Sequence, residues 1–165
     1  MVEKLMQNEW KFINEIALVI HKNRDELALR NEFLHILQSL IRFDYAAFYL
    51  YQEGRSVDPV GYNLSQNDLK YYMDIEELDP FMPLRRILTD PKHSTINVED
   101  YSLTEKIEET KYYKETWATK HIKYSIFTGL GYNEKPIGSI SLYRKEESGN
   151  FSDKDIIIMN VLKDH

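Results

Sequence analysis

The segment IKYSIFTGLGYNEKPIGSISLYRKEESGNFSDKDIIIMNVLK, residues 122–163, decides the fold of this chain. Two of its stretches, Ile122–Tyr132 and Pro136–Arg144, are rich in β-branched and aromatic residues, which favour β-strands. The polar residues 133–135 between them are typical of a turn. We therefore expect a long β-hairpin, followed by a helix after the polar loop 146–150.

The second strand of this hairpin has two chemically different faces. Because side chains alternate across a strand, Ile140 and Leu142 point to one side. Ser139, Ser141 and Tyr143 point to the other side. The first face is wholly apolar and is suited to the core, whereas the second is half polar and is expected to form a cavity wall.

A capping signal marks the start of the final helix. Ser152 lies three residues before Asp155, so its hydroxyl can accept the backbone N–H of Asp155. The Asp155 carboxylate then stands in the first turn, where the helix dipole favours negative charge. The apolar run continues to Leu162, and we expect a C-terminal helix within residues 151–165.

The strand Ile137–Arg144, followed by Phe151, Ser152 and Asp155, resembles the end of a GAF-type sensor domain. It is most similar to the N-terminal domain of LuxR-type transcriptional regulators. The resemblance implies one domain over residues 1–165, of class α+β, with a GAF/PAS-like α-β-α sandwich and a central antiparallel sheet of about five strands. It also implies a helix-turn-helix DNA-binding module outside this chain.

Composition excludes several classes of function. With 165 residues, 42% of them hydrophobic, the chain can bury one substantial core. The absence of cysteine excludes disulfides, thiolate nucleophiles, thiolate zinc sites and the thioether by which some GAF domains hold a bilin. A net charge of −6 and a pI near 5.4 argue against direct binding of nucleic acid by this domain.

The sequence offers no candidate for a membrane span or a signal peptide. Its longest apolar runs are far shorter than the ~20 residues that cross a bilayer. Residues 1–5 lack the basic and apolar regions of a signal peptide. We therefore expect a cytoplasmic protein that does not bind membranes.

Residues 1–42 predict two helices. Apolar residues recur at steps of three and four along Glu3–His21, with Trp10 near the start. A second helix is expected to begin at Asn23, because Glu26 follows three residues later. The wide first stripe leaves two interpretations open, packing within its own domain or formation of a dimer. The predicted stripe of the second helix comprises Leu27, Phe33, Leu34, Leu37, Leu40 and Ile41.

Residues 43–145 predict a sheet interrupted by helices. Phe43–Gln52 and Val57–Tyr62 form a first hairpin, and Pro59 favours a sheet edge because proline has no N–H to donate. Between the hairpins, Ser65–Asp68 is a capping box that opens a helix to about Met73. The other predicted elements are an extended Asp79 before Pro80, a helical turn in Phe81–Leu88, a strand in His93–Val98, a capping box at Ser102–Glu105 and a helix over Lys111–Lys120.

The resemblance implies how these parts pack. The hairpins pair through Phe43–Gln52 and Pro136–Arg144 at the centre of the sheet. One sheet face packs against the first, second and last helices. The other face is covered by Ser65–Lys120, which leaves a pocket between the layers.

This pocket carries the main functional signal. Tyr62, Tyr71, Tyr72 and Asp79-Pro80 are similar to the pattern of autoinducer-binding domains. In that family the Asp accepts a ligand amide N–H and the first Tyr lines the acyl site. The alternative is that Asp79 braces a loop and the tyrosines belong to the core.

Two residues depart from the autoinducer pattern. Asn63 replaces a Pro, and Gln66 stands about where the Trp that contacts the lactone belongs, so the resemblance does not specify an acyl-homoserine lactone. We expect a small-molecule ligand of unspecified identity. The residues expected to bind it are Tyr49, Tyr62, Tyr71, Tyr72, Asp79, Trp117, Ser139, Ser141 and Tyr143.

No catalytic or metal-binding constellation is evident in the sequence. The five histidines are scattered without the spacing of a metal site. Residues 129–131 (Gly-Leu-Gly) fit close backbone packing within a strand better than phosphate binding. Glu76-Glu77 with Asp79 fits a solvated helix end better than an acid–base cluster. We therefore expect no enzymatic activity, no metal and no cofactor.

A partial cyclic-nucleotide pattern is also present. Some GAF domains that bind these ligands carry Phe-x-x-x-Asp-Glu, and Phe151 and Asp155 match its first two positions. Ile156 replaces the Glu, so we expect Asp155 to be structural and to bridge to Arg144.

Together these features predict a small-molecule-sensing domain of a LuxR-type regulator. The apolar stripe of the first helix and the final helix, which reads apolar up to Leu162, predict a homodimer. DNA would then be bound only by the module outside this chain. The alternative is a ligand-free GAF/PAS-type domain for dimerisation or protein interaction.

Overall fold

The elements of the fold follow the predicted order. The computed structural model of the protein describes residues 4–22, 25–87, 95–100 and 106–165, without the side chains of residues 85–87. The helices of these ranges are α1 (Gln7–Lys22), α2 (Glu26–Leu37), α3 (Gln66–Ile75), α4 (Met82–Ile87), α5 (Lys111–Glu115) and α6 (Asp153–Leu162). The strands are β1 (Tyr45–Gln52), β2 (Arg55–Tyr62), β3 (Thr95–Asn97), β4 (Ile122–Tyr132) and β5 (Lys135–Lys145).

The strands form one antiparallel sheet in the order β2-β1-β5-β4-β3. β1 and β5 pair inside the sheet, with Phe48 opposite Ile140. β2 carries Pro59 and is an edge strand, as expected of a strand with a missing N–H donor. The predicted α+β class, with a five-stranded antiparallel sheet between helical layers, is confirmed.

One face of the sheet packs against α1, α2 and α6. Ile140 and Leu142, the apolar face predicted for β5, lie in this core with exposures of 4% and 0%. We call this side of the sheet the helix face. Its core buries apolar side chains from all three helices. Its helical members include Ile13, Ile16, Phe33, Leu34, Leu37, Ile158, Met159 and Leu162.

The opposite face of the sheet is covered by α3, α4, α5 and the turns between them. We call it the aromatic face, because rings dominate its packing. From the strands come Ala47, Tyr49, Ile122, Phe127 and Tyr143. From the covering segment come Leu69, Tyr72, Phe81, Met82, Val98, Tyr112 and Trp117.

The start of α2 differs from the prediction. Its N-cap is Asp25, whose carboxylate accepts the N–H groups of Leu27 and Ala28. Asn23, the predicted cap, lies outside the described residues. Leu27 is 57% exposed whereas Arg30 is 5% exposed. The buried stripe runs through Arg30 because its guanidinium reaches across to β2 and donates to the carbonyl oxygen of Asp58.

The segment that covers the aromatic face was only partly predicted. α3 begins with the expected capping box, in which Ser65 and Asp68 exchange side-chain and backbone hydrogen bonds. The helix predicted over Lys111–Lys120 is divided: α5 ends at Glu115 and a 3₁₀ turn follows at Ala118–Lys120. Thr116 ends α5, because its hydroxyl donates to the carbonyl oxygen of Tyr112 and its backbone angles are no longer helical. His93 and the capping box predicted at Ser102–Glu105 lie outside the described residues.

Arg144, at the end of β5, joins separate parts of the chain. Its guanidinium donates from Nε to the carbonyl oxygen of Arg42 at 2.7 Å and from Nη1 to that of Asn150 at 2.7 Å. Nη2 donates to the Asp155 carboxylate at 3.3 Å, and the guanidinium carbon lies 4.0 Å from the centroid of the Phe151 ring. The predicted bridge between Asp155 and Arg144 is confirmed.

The same carboxylate also caps α6. Asp155 accepts the backbone N–H of Ser152 at 2.8 Å, while the Ser152 hydroxyl accepts the N–H of Asp155 at 3.2 Å. This is the capping box predicted from the sequence. The start of α6 and the end of β5 are therefore held by one side chain.

Replacing Asp155 by Ala is expected to lower the free energy of unfolding by about 3 kcal/mol, because it removes the cap and leaves a buried guanidinium without its carboxylate. Asp153→Ala, which removes an exposed acidic residue from the same turn, is the control and is expected to cost less than about 1 kcal/mol. Urea unfolding followed by circular dichroism measures both. Equal losses in the two variants would contradict a specific role for Asp155.

Candidate ligand-binding site

The floor of the candidate site is the aromatic face of β1, β5 and β4. Strand register places Tyr49 opposite Ser139, and Ser141 opposite Phe127. Tyr143 stands opposite Ser125 in β4. Directly opposed residues share a sheet face, so these six polar and aromatic side chains line one surface, as the alternation in β5 predicted.

The roof consists of rings from the covering segment. Tyr72 of α3 packs on Tyr49 with ring centroids 4.8 Å apart. Trp117 lies 5.9 Å from Tyr143 and 6.3 Å from Phe81, measured between ring centroids. Such contacts stabilise the layer beyond the burial of area alone. The roof is therefore a connected aromatic cluster and not a set of isolated side chains.

Four buried polar atoms on this face have no hydrogen-bond partner among the described residues. They are the hydroxyl oxygens of Ser125, Ser139 and Ser141 and the indole Nε1 of Trp117. The three serines are at most 1% exposed and Trp117 is 3% exposed. An unpaired buried polar group costs about 1–3 kcal/mol, so such groups are rare where they serve no purpose.

A cavity of about 70 Å³ lies between the floor and the roof. Of the predicted site residues, Tyr49, Tyr71, Tyr72, Trp117 and Tyr143 line it. In this state the cavity is too small for a ligand of drug-like size.

Two polar contacts beside this cavity join α3 to the last residue of α5 and to the 3₁₀ turn that follows it. Lys120 is ion-paired with Asp68 at 3.0 Å, and the Tyr71 hydroxyl donates to the Glu115 carboxylate at 2.6 Å. All four residues line the cavity. We call this pair of contacts the clasp.

The clasp shifts the titration of two of its members. Burial raises the pKa of the Asp68 carboxyl, but hydrogen bonds from Ser65 and Lys120 outweigh it, so the pKa is lowered overall. The hydrogen bond to Glu115 raises the pKa of the Tyr71 hydroxyl. Both shifts favour the protonation states in which these contacts form, a charged Asp68 and a neutral Tyr71.

Asp79 is buried behind Tyr72, with 2% exposure, and does not line the cavity. Its carboxylate accepts the Tyr72 hydroxyl at 2.9 Å and the backbone N–H of Phe81 at 2.8 Å. Each oxygen thus already accepts a hydrogen bond from the protein. These contacts fix the position of one roof tyrosine and the start of α4.

The prediction that Tyr62 belongs to this site is wrong. Tyr62 stands opposite Ala46, packs in the core of the helix face, and its ring lies 5.2 Å from that of Phe43. A bulge in β2 explains the difference, because Val57 and Val60 both pair with helix-face residues of β1. The bulge reverses the alternation and carries Tyr62 to the helix face.

Several residues of the site were missed from the sequence. Tyr112, Phe81 and Phe127 are at most 1% exposed and form the centre of the aromatic cluster. Ser125 alternates with Phe127 in the first strand of the long hairpin, so the alternation used for β5 could have found it. Tyr112 and Phe81 carried no comparable periodic signal.

Glu76 also departs from its predicted place. It was expected at a solvated helix end, but it is 3% exposed and accepts the backbone N–H of Ser56 at 3.2 and 3.3 Å. It thereby ties the turn after α3 to the edge strand β2. Glu77 is exposed and pairs with Arg55 at 3.2 Å.

The described residues include neither a metal-binding cluster nor a membrane-spanning helix. No group of three or more His, Asp and Glu side chains in these ranges is placed to hold a metal ion. No helix in the described part of the chain is long and apolar enough to cross a membrane.

Solved structures with this fold include sensor domains. The chain resembles the VqsR LBD domain from Pseudomonas aeruginosa (TM-score 0.66, 13% identity, covering 96% of this chain and 92% of that one). It also resembles CepR2, an N-acylhomoserine lactone dependent LuxR family transcription factor from Burkholderia cenocepacia (0.65, 12%, 94% and 88%). A third is the GAF domain of a phosphoenolpyruvate-protein phosphotransferase from Coxiella burnetii (0.62, 9%, 94% and 88%).

These similarities show a shared fold, that of GAF domains and LuxR-type ligand-binding domains. The same fold occurs in an enzyme, a free methionine-R-sulfoxide reductase from Neisseria meningitidis. No protein-family model matches the chain, and no curated protein sequence matches it significantly. The function must therefore be argued from the site.

Replacing Asp79 by Asn is expected to lower the free energy of unfolding by about 1–3 kcal/mol, because the carboxylate holds both Tyr72 and the Phe81 backbone. Tyr72→Phe removes one of these hydrogen bonds and should cost less. In the double variant the two losses should not add, since they share one interaction. Urea unfolding of all three variants measures this, and full additivity would contradict the bracing role of Asp79.

Proposed function

We propose that this chain is a small-molecule-sensing regulatory domain whose ligand binds between the sheet and the aromatic roof. The four unpaired polar atoms on the aromatic face carry the proposal. A ligand placed there can accept from the indole of Trp117, which lines the cavity. Ser125, Ser139 and Ser141 do not line the cavity in this closed state, and the ligand would exchange hydrogen bonds with them after the roof opens. Binding would then recover free energy that the free protein loses by burying these groups.

The proposed ligand is largely apolar or aromatic and carries a few hydrogen-bonding groups. Tyr49, Tyr72 and Tyr143 supply stacking surfaces, and the serines and Trp117 supply neutral polar contacts. The charged groups among the described residues that line the cavity are engaged, since Asp68 pairs with Lys120 and Glu115 accepts from the Tyr71 hydroxyl. We assign Asp79 the role of bracing Tyr72 rather than contacting the ligand.

Ligand entry requires a change of conformation. A cavity of about 70 Å³ does not hold such a molecule, so the roof has to move away from the sheet. The clasp joins the two roof segments, α3 and residues 115–120, and opening it lets them separate. The closed state and an open, ligand-bound state then form the two-state equilibrium on which a sensor depends.

The output of the sensor is proposed to be transcriptional. A LuxR-type regulator would couple this domain to a helix-turn-helix module outside the chain, acting as a cytoplasmic homodimer. Trp10 of α1 is 46% exposed and offers an apolar ring to a second copy, whereas Phe12, also exposed at 41%, is two residues further on and therefore lies on nearly the opposite side of the helix. Ile13, on the adjacent side of the helix, is buried within its own subunit.

A ligand-free dimerisation domain is the second candidate. The close aromatic packing of Tyr72, Phe81 and Trp117 favours it, because a nearly filled face needs no ligand. The unpaired serines distinguish the two candidates, because a ligand-free dimerisation domain gains nothing from burying hydroxyl groups without partners.

Replacing Ser141 by Ala tests which of the two proposed functions the domain has. Removing an unpaired buried hydroxyl should raise the free energy of unfolding by about 1 kcal/mol in the ligand-free domain. In a sensor, the same variant should retain less of a small molecule that co-purifies with the wild type. Urea unfolding and native mass spectrometry measure the two effects.

Ser148→Ala is the matched control, since the Ser148 hydroxyl donates to Asp44 at 2.7 Å and lies outside the site. It should lose stability and keep the ligand. If the wild type carries no small molecule and none from a metabolite library stabilises it, the dimerisation function takes the place of sensing.

Sedimentation of the domain at micromolar concentration tests the homodimer. Trp10→Gln should weaken dimerisation at least roughly tenfold, because a large buried ring is lost from the interface, while the fold is kept because the ring is exposed in the monomer. Lys11→Gln, a neighbouring exposed change, should have little effect. A wild type that sediments only as a monomer would contradict the dimer.

A further inference from the structure

A second and larger cavity lies on the helix face, across the sheet from the candidate site. Its volume is about 310 Å³, within the range of small-molecule pockets. It lies between α2, α6 and the ends of strands β1, β4 and β5. Its walls are aliphatic and aromatic, with Phe33, Phe48, Leu50, Leu130 and Met159 among them.

The cavity contains a buried cation. Arg30 lines it and is only 5% exposed, although it belongs to the apolar stripe of α2. Its Nη1 donates to the Asp58 carbonyl oxygen, and its guanidinium carbon lies 5.6 Å from the centroid of the Phe48 ring. Its Nε is buried and has no hydrogen-bond partner among the described residues.

The charge of Arg30 is weakly compensated. Among the described residues its ion-pair partner is Glu26, which also lines the cavity. The Glu26 carboxylate lies 3.8 Å from Nε, beyond hydrogen-bond distance, and its side chain is 66% exposed. An ion pair whose acid is so exposed is screened by water. Lys163 adds a second cation to the lining; its side chain is 6% exposed and it pairs with Asp164, which is 62% exposed.

We propose that this cavity binds a small amphiphilic anion, such as a medium-chain carboxylate. The apolar chain would lie between α2, α6 and the sheet, and the carboxylate would accept from Nε of Arg30. A charge-assisted hydrogen bond of this kind satisfies the buried donor and neutralises the buried charge. The site lies on the opposite side of the sheet from the proposed sensing pocket and does not depend on it.

Titration with decanoate, followed by calorimetry, tests the site, with decan-1-ol as a neutral probe of the same chain length. Wild-type protein should bind decanoate more tightly than the alcohol. Arg30→Met keeps an apolar side chain and removes the charge, so it should weaken decanoate binding by roughly 10- to 100-fold and leave the alcohol nearly unchanged. Arg55→Met removes an exposed arginine that pairs with Glu77 and should change neither affinity.

Two further measurements keep the test decisive if Arg30→Met folds poorly. Leu29→Trp, which fills the cavity from its half-buried lining, should abolish binding of both probes. In methyl NMR spectra, decanoate should shift the signals of Leu130 and Met159 and not those of Leu64 and Leu69 at the aromatic face. Absence of decanoate binding, equal affinity for both probes, or shifts confined to the aromatic face would overturn the proposal.

Discussion

The structure depends on the contacts of one guanidinium, that of Arg144. Its three donating nitrogens bind the chain before β1, the loop before α6 and the carboxylate that caps α6, while its face covers Phe151. Burying a guanidinium is costly unless its donors are satisfied, and here three acceptors do this, one in the distant Arg42 and two in the following segment at Asn150 and Asp155. The end of the central strand β5 thereby holds α6 against the sheet.

β5 then divides its side chains between two different environments. Ile140 and Leu142 enter an aliphatic core, whereas Ser139, Ser141 and Tyr143 enter the aromatic layer. Burying hydroxyl groups in a closed layer lowers stability, because each buried oxygen without a partner loses the hydrogen bonds it made in water. Among the described residues, the aromatic face thus holds more buried polar atoms without a hydrogen-bond partner than the helix face does.

The two cavities differ in chemistry as well as in place. On the aromatic face the unpaired groups are neutral, three hydroxyls and an indole N–H, and the space is small and bounded by a clasp. On the helix face the unpaired group belongs to a cation, Arg30, and the space is larger and apolar. A neutral ligand suits the first and an anion the second. The sheet that separates them is common to both, because β1 and β5 contribute to each lining.

The sequence by itself determined the features that depend on near neighbours. The alternation in β5, the capping boxes at Ser65 and Ser152 and the edge position of Pro59 all follow from spacings of a few residues, and all were predicted correctly. Only the tertiary structure decided which side chains meet across the sheet. Three such features depend on contacts between residues that are not neighbours in the chain. A bulge in β2 moves Tyr62 to the helix face, the carbonyl of Asp58 binds the buried Arg30, and the start of β2 binds the buried Glu76. Local sequence patterns do not specify such pairings, because strand register and bulges are fixed by contacts between residues on different strands.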